Sequence, residues 1–237
     1  MQDRLKETFR FFFNNFFGFA FLFMGVALVS TIPLLLFGDS LGVTSSQPPA
    51  EGDFSRNMAL AGLLVMLIYV FFAGLCSYRF RTLLEGGKGK IGTEMARTSS
   101  KFFQLLGVSI LSAILFVLGF LLFILPGFYI IIRLSFAYYY VLFNDCSATE
   151  AIKQSWEHTK DVQWQLIGGM VVIGLIIIVT QVVVSVIKMA DPTNIPLEIG
   201  LSVLAEPFAA LASIYTLRYY DLVNGTYAVT KSAAVSE

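Results

Sequence analysis

Charge is scarce in this chain, and histidine and cysteine are scarcer. Asp, Glu, Lys and Arg together make 14% of the 237 residues, with one histidine and two cysteines. Each shortage excludes something. The 16 basic and 16 acidic side chains cancel to zero net charge, so there is no electrostatic footprint for nucleic acid, and no nucleic-acid partner is expected. The lone His158 has no second histidine and no cysteine at ligand spacing, so no metal site is expected. Cys76 and Cys146 are isolated and make no metal motif; both fall near inner helix ends, where thiols stay reduced, so no structural disulfide is expected. No serine sits in a nucleophile elbow, no glycine-rich loop cradles phosphate, and Asp145 and Glu150 are not spaced as a catalytic pair. With no catalytic constellation and no cofactor signature, the chain is expected not to be an enzyme.

What remains is apolar. Hydrophobic residues make 57% of the chain and the mean hydropathy is +0.76, beyond an ordinary soluble domain. The apolar residues fall in six runs, at 15–37, 58–78, 102–125, 127–143, 165–187 and 199–217. Each is close to the roughly 20 residues that span a bilayer's hydrocarbon as a helix. Backbone groups in lipid must pair within their own segment, and the short alternating strands of a barrel are absent from the pattern. The expected fold class is therefore all-α: a polytopic membrane protein of six transmembrane helices, arranged as three hairpins, forming one integral membrane domain over 1–237. Basic residues ahead of the first run resemble a signal peptide, but the run is too long and no small-x-small site follows. It reads as an uncleaved first helix.

Orientation follows from Lys and Arg. Thirteen of them fall in the segments that share a side with the N-terminus, and only Arg56 and Lys188 fall opposite. The positive-inside bias puts both termini in the cytoplasm.

The connections carry further signals. Proline cannot continue a helix and glycine permits tight reversal, so Pro126 and Gly127 are expected to form the turn between spans three and four. The loop 38–57, with Pro48 and Pro49, is expected to be polar and irregular. Gly86-Gly87-Lys88-Gly89-Lys90 reads as a basic, solvated turn. Ser147 and Glu150 have capping-box spacing. Behind them Ala148, Ala151, Ile152, Ser155, Thr159 and Val162 recur at helical spacing. This predicts a short cytoplasmic amphipathic helix, either seated at the inner membrane surface with Trp156 and Trp164 as interfacial anchors or packed on the bundle.

An internal repeat is also readable. Thr93-Glu94 leads to Phe103-Gln104-Leu105-Leu106-Gly107 as Thr149-Glu150 leads to Trp164-Gln165-Leu166-Ile167-Gly168, with a looser echo at Glu7-Thr8-Phe9-Arg10. The alternative is that inner ends of membrane helices commonly carry aromatics and arginines.

Arg133 is the strongest functional signal. It lies within an apolar run, six residues past Gly127, or about 9–10 Å along a helix. A charge in hydrocarbon needs a partner or a wet pocket. Glu206 and Gln181 fall at similar estimated depths, about 12 and 10 Å. The three are expected to form an intramembrane polar layer. Pro207 would kink the last span beside Glu206 and free a carbonyl. The layer reads either as a structural ion pair or as a transport site.

The run Leu125-Pro126-Gly127-Phe128-Tyr129-Ile130-Ile131-Ile132-Arg133-Leu134-Ser135-Phe136-Ala137 resembles the central motif of the YciC-like bacterial inner-membrane proteins. It also resembles the membrane domain attached to some glycerophosphodiester phosphodiesterases. Ala151-Ile152-Lys153-Gln154-Ser155-Trp156 and Arg218-Tyr219-Tyr220-Asp221 extend the likeness. It implies a six-helix membrane domain in the bacterial inner membrane and carries over no catalytic residue. The expected function is a non-enzymatic membrane protein that binds or organises membrane lipid or a membrane partner, a second copy included. A small transporter or channel-like protein using Arg133 and Glu206 is the alternative.

Overall fold

The structure, a computed structural model, describes residues 2–30, 51–87, 89–122, 124–190, 201, 207–208 and 210–225. These are mostly helical, with no strand among them. The helices in order are α1 (Gln2–Ser30), α2 (Glu51–Leu84), α3 (Ile91–Ser100), α4 (Phe102–Leu122), α5 (Ile124–Leu134), α6 (Ala137–Asn144), α7 (Ala148–His158) and α8 (Gln163–Ala190). A single 3-10 turn, Thr159–Asp161, joins α7 to α8, and residues 210–225 are helical.

Four helical stretches among the described residues are long and apolar enough to cross a membrane: Arg56–Leu84, Ile91–Leu121, Pro126–Asn144 and Gln163–Ile187. They overlie the second to fifth expected spans. The first expected span begins in α1 and its end, 31–37, lies outside the described residues, as do most of 199–209 in the sixth.

Local chemistry explains the element ends. Gly86 takes φ +74° and closes α2: its N–H donates to Leu83 O at 3.1 Å, and Gly87 N–H to Thr82 O at 2.9 Å. This paired pattern absorbs two orphan carbonyls of the last turn, and it needs a residue free of the Cβ clash at positive φ. The loop beyond is tied down rather than simply solvated, because Arg79 Nη1 donates to Gly89 O at 2.8 Å. Ser147 caps α7, accepting from Glu150 N–H at 3.4 Å. Only half of the capping box forms, since the Glu150 carboxylate accepts from Gln154 Nε2 instead.

Two expectations are corrected here. Ile124–Leu134 is helical, so Pro126 and Gly127 sit in the first turn of α5 and not in a turn ahead of it. Proline is tolerated there because the first-turn N–H has no helical partner to lose. Gly127 serves close approach: a Cβ on it would lie 3.1 Å from Phe120 Cα. The fourth span is also not one helix. It breaks at Ser135–Phe136, although neither residue is a helix breaker. Ser155 of α7 makes the break: its hydroxyl donates to Arg133 O at 2.7 Å and accepts from Phe136 N–H at 3.1 Å. One inserted side chain satisfies the donor and the acceptor that the interrupted ladder frees.

The apolar face predicted for α7 is real and is covered by protein. Ala151, Ser155, Thr159 and Val162 are buried, with α7 packed on α4, α5 and α6. Of the two seats considered for this helix, packing on the bundle accounts for that face.

Basic and acidic side chains gather at one end of the bundle. Arg218 Nη1 meets Glu7 Oε2 at 2.8 Å, Arg81 Nη2 meets Asp221 Oδ1 at 3.9 Å and Arg79 Nη1 meets Glu94 Oε1 at 3.6 Å. Beneath them lies an aromatic core with Tyr220 as its hub, its ring centroid 5.1 Å from Tyr140, 5.5 Å from Tyr139 and 5.9 Å from Phe136. The bundle's sides are apolar and bare: Phe17, Leu121, Ile178 and Val179 are all exposed, as residues facing lipid are.

Candidate functional site

Arg133 is 4% exposed and sits in the corner between α5 and α7. Its guanidinium carbon lies 5.3 Å from the Tyr129 ring centroid and 5.0 Å from that of Trp156. Nη1 donates to Thr159 Oγ1 at 3.4 Å, and Nε is buried without a hydrogen-bond partner. Two π faces and one hydroxyl thus stabilise the charge. Gln181 is exposed on α8, and Glu206 lies outside the described residues. Trp156 packs edge-on to Tyr129 at 6.0 Å and is about one-third exposed, whereas Trp164 is 76% exposed, the exposure an interfacial indole needs.

A second arrangement lies between α2 and the α3–α4 corner. On α2, Leu67, Phe71, Tyr78, Thr82 and Glu85 follow at spacings of four, seven, four and three, which places them on one helical stripe. The lower part of that stripe lines an apolar groove of about 410 Å³ with Ile68, Phe72, Ser99, Phe102 and Phe103. The upper part lines a charged pocket of about 450 Å³ with Arg81, Arg97, Ser100, Lys101, Phe143 and Asp145. The α3–α4 corner contributes to each cavity, Ser100 and Lys101 to the charged pocket and Ser99, Phe102 and Phe103 to the groove.

Lys101 builds this pocket. Its Nζ donates to Leu142 O at 2.6 Å and to Val141 O at 3.2 Å, and it pairs with Asp145 Oδ1 at 2.6 Å. It therefore caps the orphan carbonyls that end α6. Tyr78 Oη donates to the same Leu142 O at 2.8 Å. Asp145 can turn the chain here because it adopts φ 54°, a conformation Asp tolerates better than most residues. Arg81 lies 4.1 Å over the Phe143 ring and donates through Nε to Glu85 Oε1 at 3.1 Å. Burial pushes the Asp221 carboxyl above its ordinary range, against the opposing pull of Arg81. Arg97 is exposed.

A third cavity, about 330 Å³, is lined by Ser77, Ser109, Ser135 and Ser213 among apolar residues of α2, α6 and the 210–225 segment. Tyr139 Oη donates to Ser213 O at 2.9 Å beside it.

Sequence reasoning counted Arg81, Arg97 and Lys101 only as orientation signals, and Ser155 and Thr159 only as members of an apolar face. The available clue was the chemistry of that face: two hydroxyls four residues apart on a stripe otherwise made of Ala, Ile and Val.

These features define an all-helical integral membrane protein. The family model of the membrane domain of glycerophosphoryl diester phosphodiesterase matches residues 105–204, which relates the chain to that membrane domain over the stretch holding Arg133, Ser155 and Thr159. No curated protein and no solved structure matches the chain.

Proposed function

We propose that this chain is a non-enzymatic integral membrane protein that binds membrane lipid, working in a bacterial inner membrane with both termini in the cytoplasm. The observation that carries the reading is the α2 stripe, which lines an apolar groove at Leu67–Phe72 and a charged pocket at Tyr78–Glu85, with the α3–α4 corner contributing residues to each. A phospholipid has the same order of parts, chains below and a polar headgroup above. The gathering of Arg4, Arg79, Arg81, Arg97, Lys101 and Arg218 toward one end supports that end as the cytoplasmic one. The likeness of the Leu125–Trp156 block to YciC-like proteins supports the bacterial inner membrane.

Arg133 favours this reading over transport. It is held by two aromatic rings and a threonine at the point where α7 crosses the α5–α6 break, which is the placement of a clamp between helices. The polar layer with Gln181 and Glu206 stays a proposal of the alternative reading.

The test is native mass spectrometry of the purified chain released from mild detergent. Retained phospholipid is expected, with retention reduced by Phe71→Asp, which places a charge in the groove. A chain that carries no lipid, or a variant that retains as much as the parent, overturns the reading.

A further inference from the structure

We propose that the cavity walled by Ser77, Ser109 and Ser135 binds the hydroxyl headgroup of an uncharged lipid of the diacylglycerol kind, taken from the bilayer. This is a site apart from the groove and charged pocket of the α2 stripe, and its ligand carries no phosphate.

Five hydroxyl-bearing residues of this wall have already placed their hydrogens on main-chain carbonyls. Ser77 Oγ donates to Ala73 O at 2.8 Å, Ser109 Oγ to Leu105 O at 2.9 Å and Ser135 Oγ to Ile132 O at 2.7 Å. Tyr138 Oη donates to Val70 O, and Tyr139 Oη to Ser213 O. A hydroxyl has one hydrogen and two lone pairs, so each of these oxygens still accepts, and none donates without giving up a bond it has. The polar part of the wall is therefore an array of acceptors. Its complement is a ligand that brings a donor.

Charge decides which donor fits. Among the described residues no Asp, Glu, Lys, Arg or His lines this cavity, and Val70, Phe72, Ala73 and Phe80 make much of the rest. A phosphate would face lone pairs with no cation or N–H to answer it. An ammonium would be a buried charge with no counter-ion. Both are costly away from water, whereas an uncharged O–H meets the acceptors without that cost. Position agrees. Arg79 and Arg81 mark the charged end of the bundle, and Tyr69, at the far end of the cavity on α2, lies about 15 Å below Arg79 along the helix. A charged headgroup is held at the level of the charges, but a bare hydroxyl can sink beneath it. Tyr69 is 66% exposed, which gives the cavity a side on the apolar flank that faces acyl chains. The volume of about 330 Å³ is at the small end for a ligand site. It suits a glycerol headgroup whose chains stay in the bilayer.

The experiment uses the full chain in phosphatidylcholine nanodiscs holding a photoreactive 1,2-diacylglycerol, its diazirine beside the glycerol, with labelled residues mapped by peptide mass spectrometry. Label is expected on the cavity wall, on α2 between Tyr69 and Phe80 and on α6 at Tyr138 and Tyr139. Acetylating the lipid's hydroxyl is expected to lower that label about fivefold, the worth of one hydrogen bond. The matched phosphatidic acid is expected to label as weakly as the acetate. Ser77→Ala, Ser109→Ala and Ser135→Ala combined are expected to bring diacylglycerol down to the level of its acetate. Each serine bonds within its own turn, so their loss parts no two helices, and a melting temperature near the parent's checks the fold. Ala73→Leu, which fills the cavity, is a second variant expected to remove the label. Equal labelling by diacylglycerol and its acetate, or phosphatidic acid that labels as well as diacylglycerol, overturns the hydroxyl assignment. A wall that takes no label, or label that both variants leave unchanged, overturns the site. None of these outcomes bears on phospholipid retention, which Phe71→Asp tests.

Discussion

Thr98 and Thr159 are structural counterparts. Both are fully buried, and each hydroxyl donates to the carbonyl four residues back, Thr98 to Glu94 O at 2.9 Å and Thr159 to Ser155 O at 2.7 Å. Each ends a short amphipathic helix that leads into a long apolar one. An arginine of an adjoining apolar helix reaches each short helix: Arg79 pairs with Glu94 of α3, and Arg133 donates to Thr159 at the end of α7. The positions that follow share burial as well, with Phe103 and Trp164 exposed and Leu105 and Leu166 buried. Thr8, also buried, donates to Arg4 O at 2.8 Å in the same manner. The likeness lies at these positions and not at the lead-in pairs Thr93-Glu94 and Thr149-Glu150, where Glu94 is buried and Glu150 is exposed.

Arg133 should be coupled to Trp156. Truncating a buried, packed arginine to Arg133→Ala is expected to cost about 2–4 kcal/mol of stability in detergent. Trp156→Ala made in the Arg133→Ala background should cost less than it does alone, by about 0.5–2 kcal/mol, because the cation–π contact is already gone. Thermal melts of the four proteins measure this. Simple additivity would show that the ring and the guanidinium do not stabilise one another.

Tyr78 and Lys101 should behave in the opposite sense. Both donate to Leu142 O, so either alone keeps that carbonyl satisfied. Tyr78→Phe and Lys101→Met are each expected to cost about 1 kcal/mol, and the double variant to exceed their sum by about 1 kcal/mol, because only then is the buried acceptor left bare. A double variant that costs no more than the sum would place water or another donor at Leu142 O.

Acid should loosen the seat of α7. His158 shares a hydrogen bond with Tyr140 through Nδ1, and burial pulls its pKa below the ordinary imidazole value, outweighing the opposite pull of Glu157 and Asp161. The unfolded chain therefore binds this proton first. The contribution to stability is complete above the ordinary value of about 6.5 and is lost as pH falls toward the lower folded value. The melting temperature is expected to fall across that window, and His158→Gln should fall less steeply. Parallel slopes for the two proteins would remove His158 as the cause. The comparison cancels Asp221, whose raised pKa is common to both.

Much of this protein was legible before folding was considered. Hydropathy alone marked the runs that became α2, α4, α5 with α6, and α8, because a segment that must satisfy its own backbone in lipid has to be both apolar and helical. Helical periodicity gave the face of α7 to the residue, and its N-cap as well, because side-chain direction within one helix is a local property. The break at Ser135–Phe136 was not legible. It depends on a serine about 20 residues away in sequence, and nothing in the local pattern distinguishes a continuous span from one whose ladder a distant hydroxyl will enter. The seat of Arg133 was missed for the same reason. Counting residues from a turn estimates depth along one axis, whereas the partner is chosen by which helix packs beside it.

Composition and periodicity therefore determined the class, the helical elements and the faces they would bury, since each is set by the free energy of a segment against its solvent. Tertiary structure alone decided which carbonyls Lys101 and Ser155 would reach, and which rings would hold Arg133. Hydrogen bonds and ion pairs are short-ranged, and their partners exist only after the helices have been brought together.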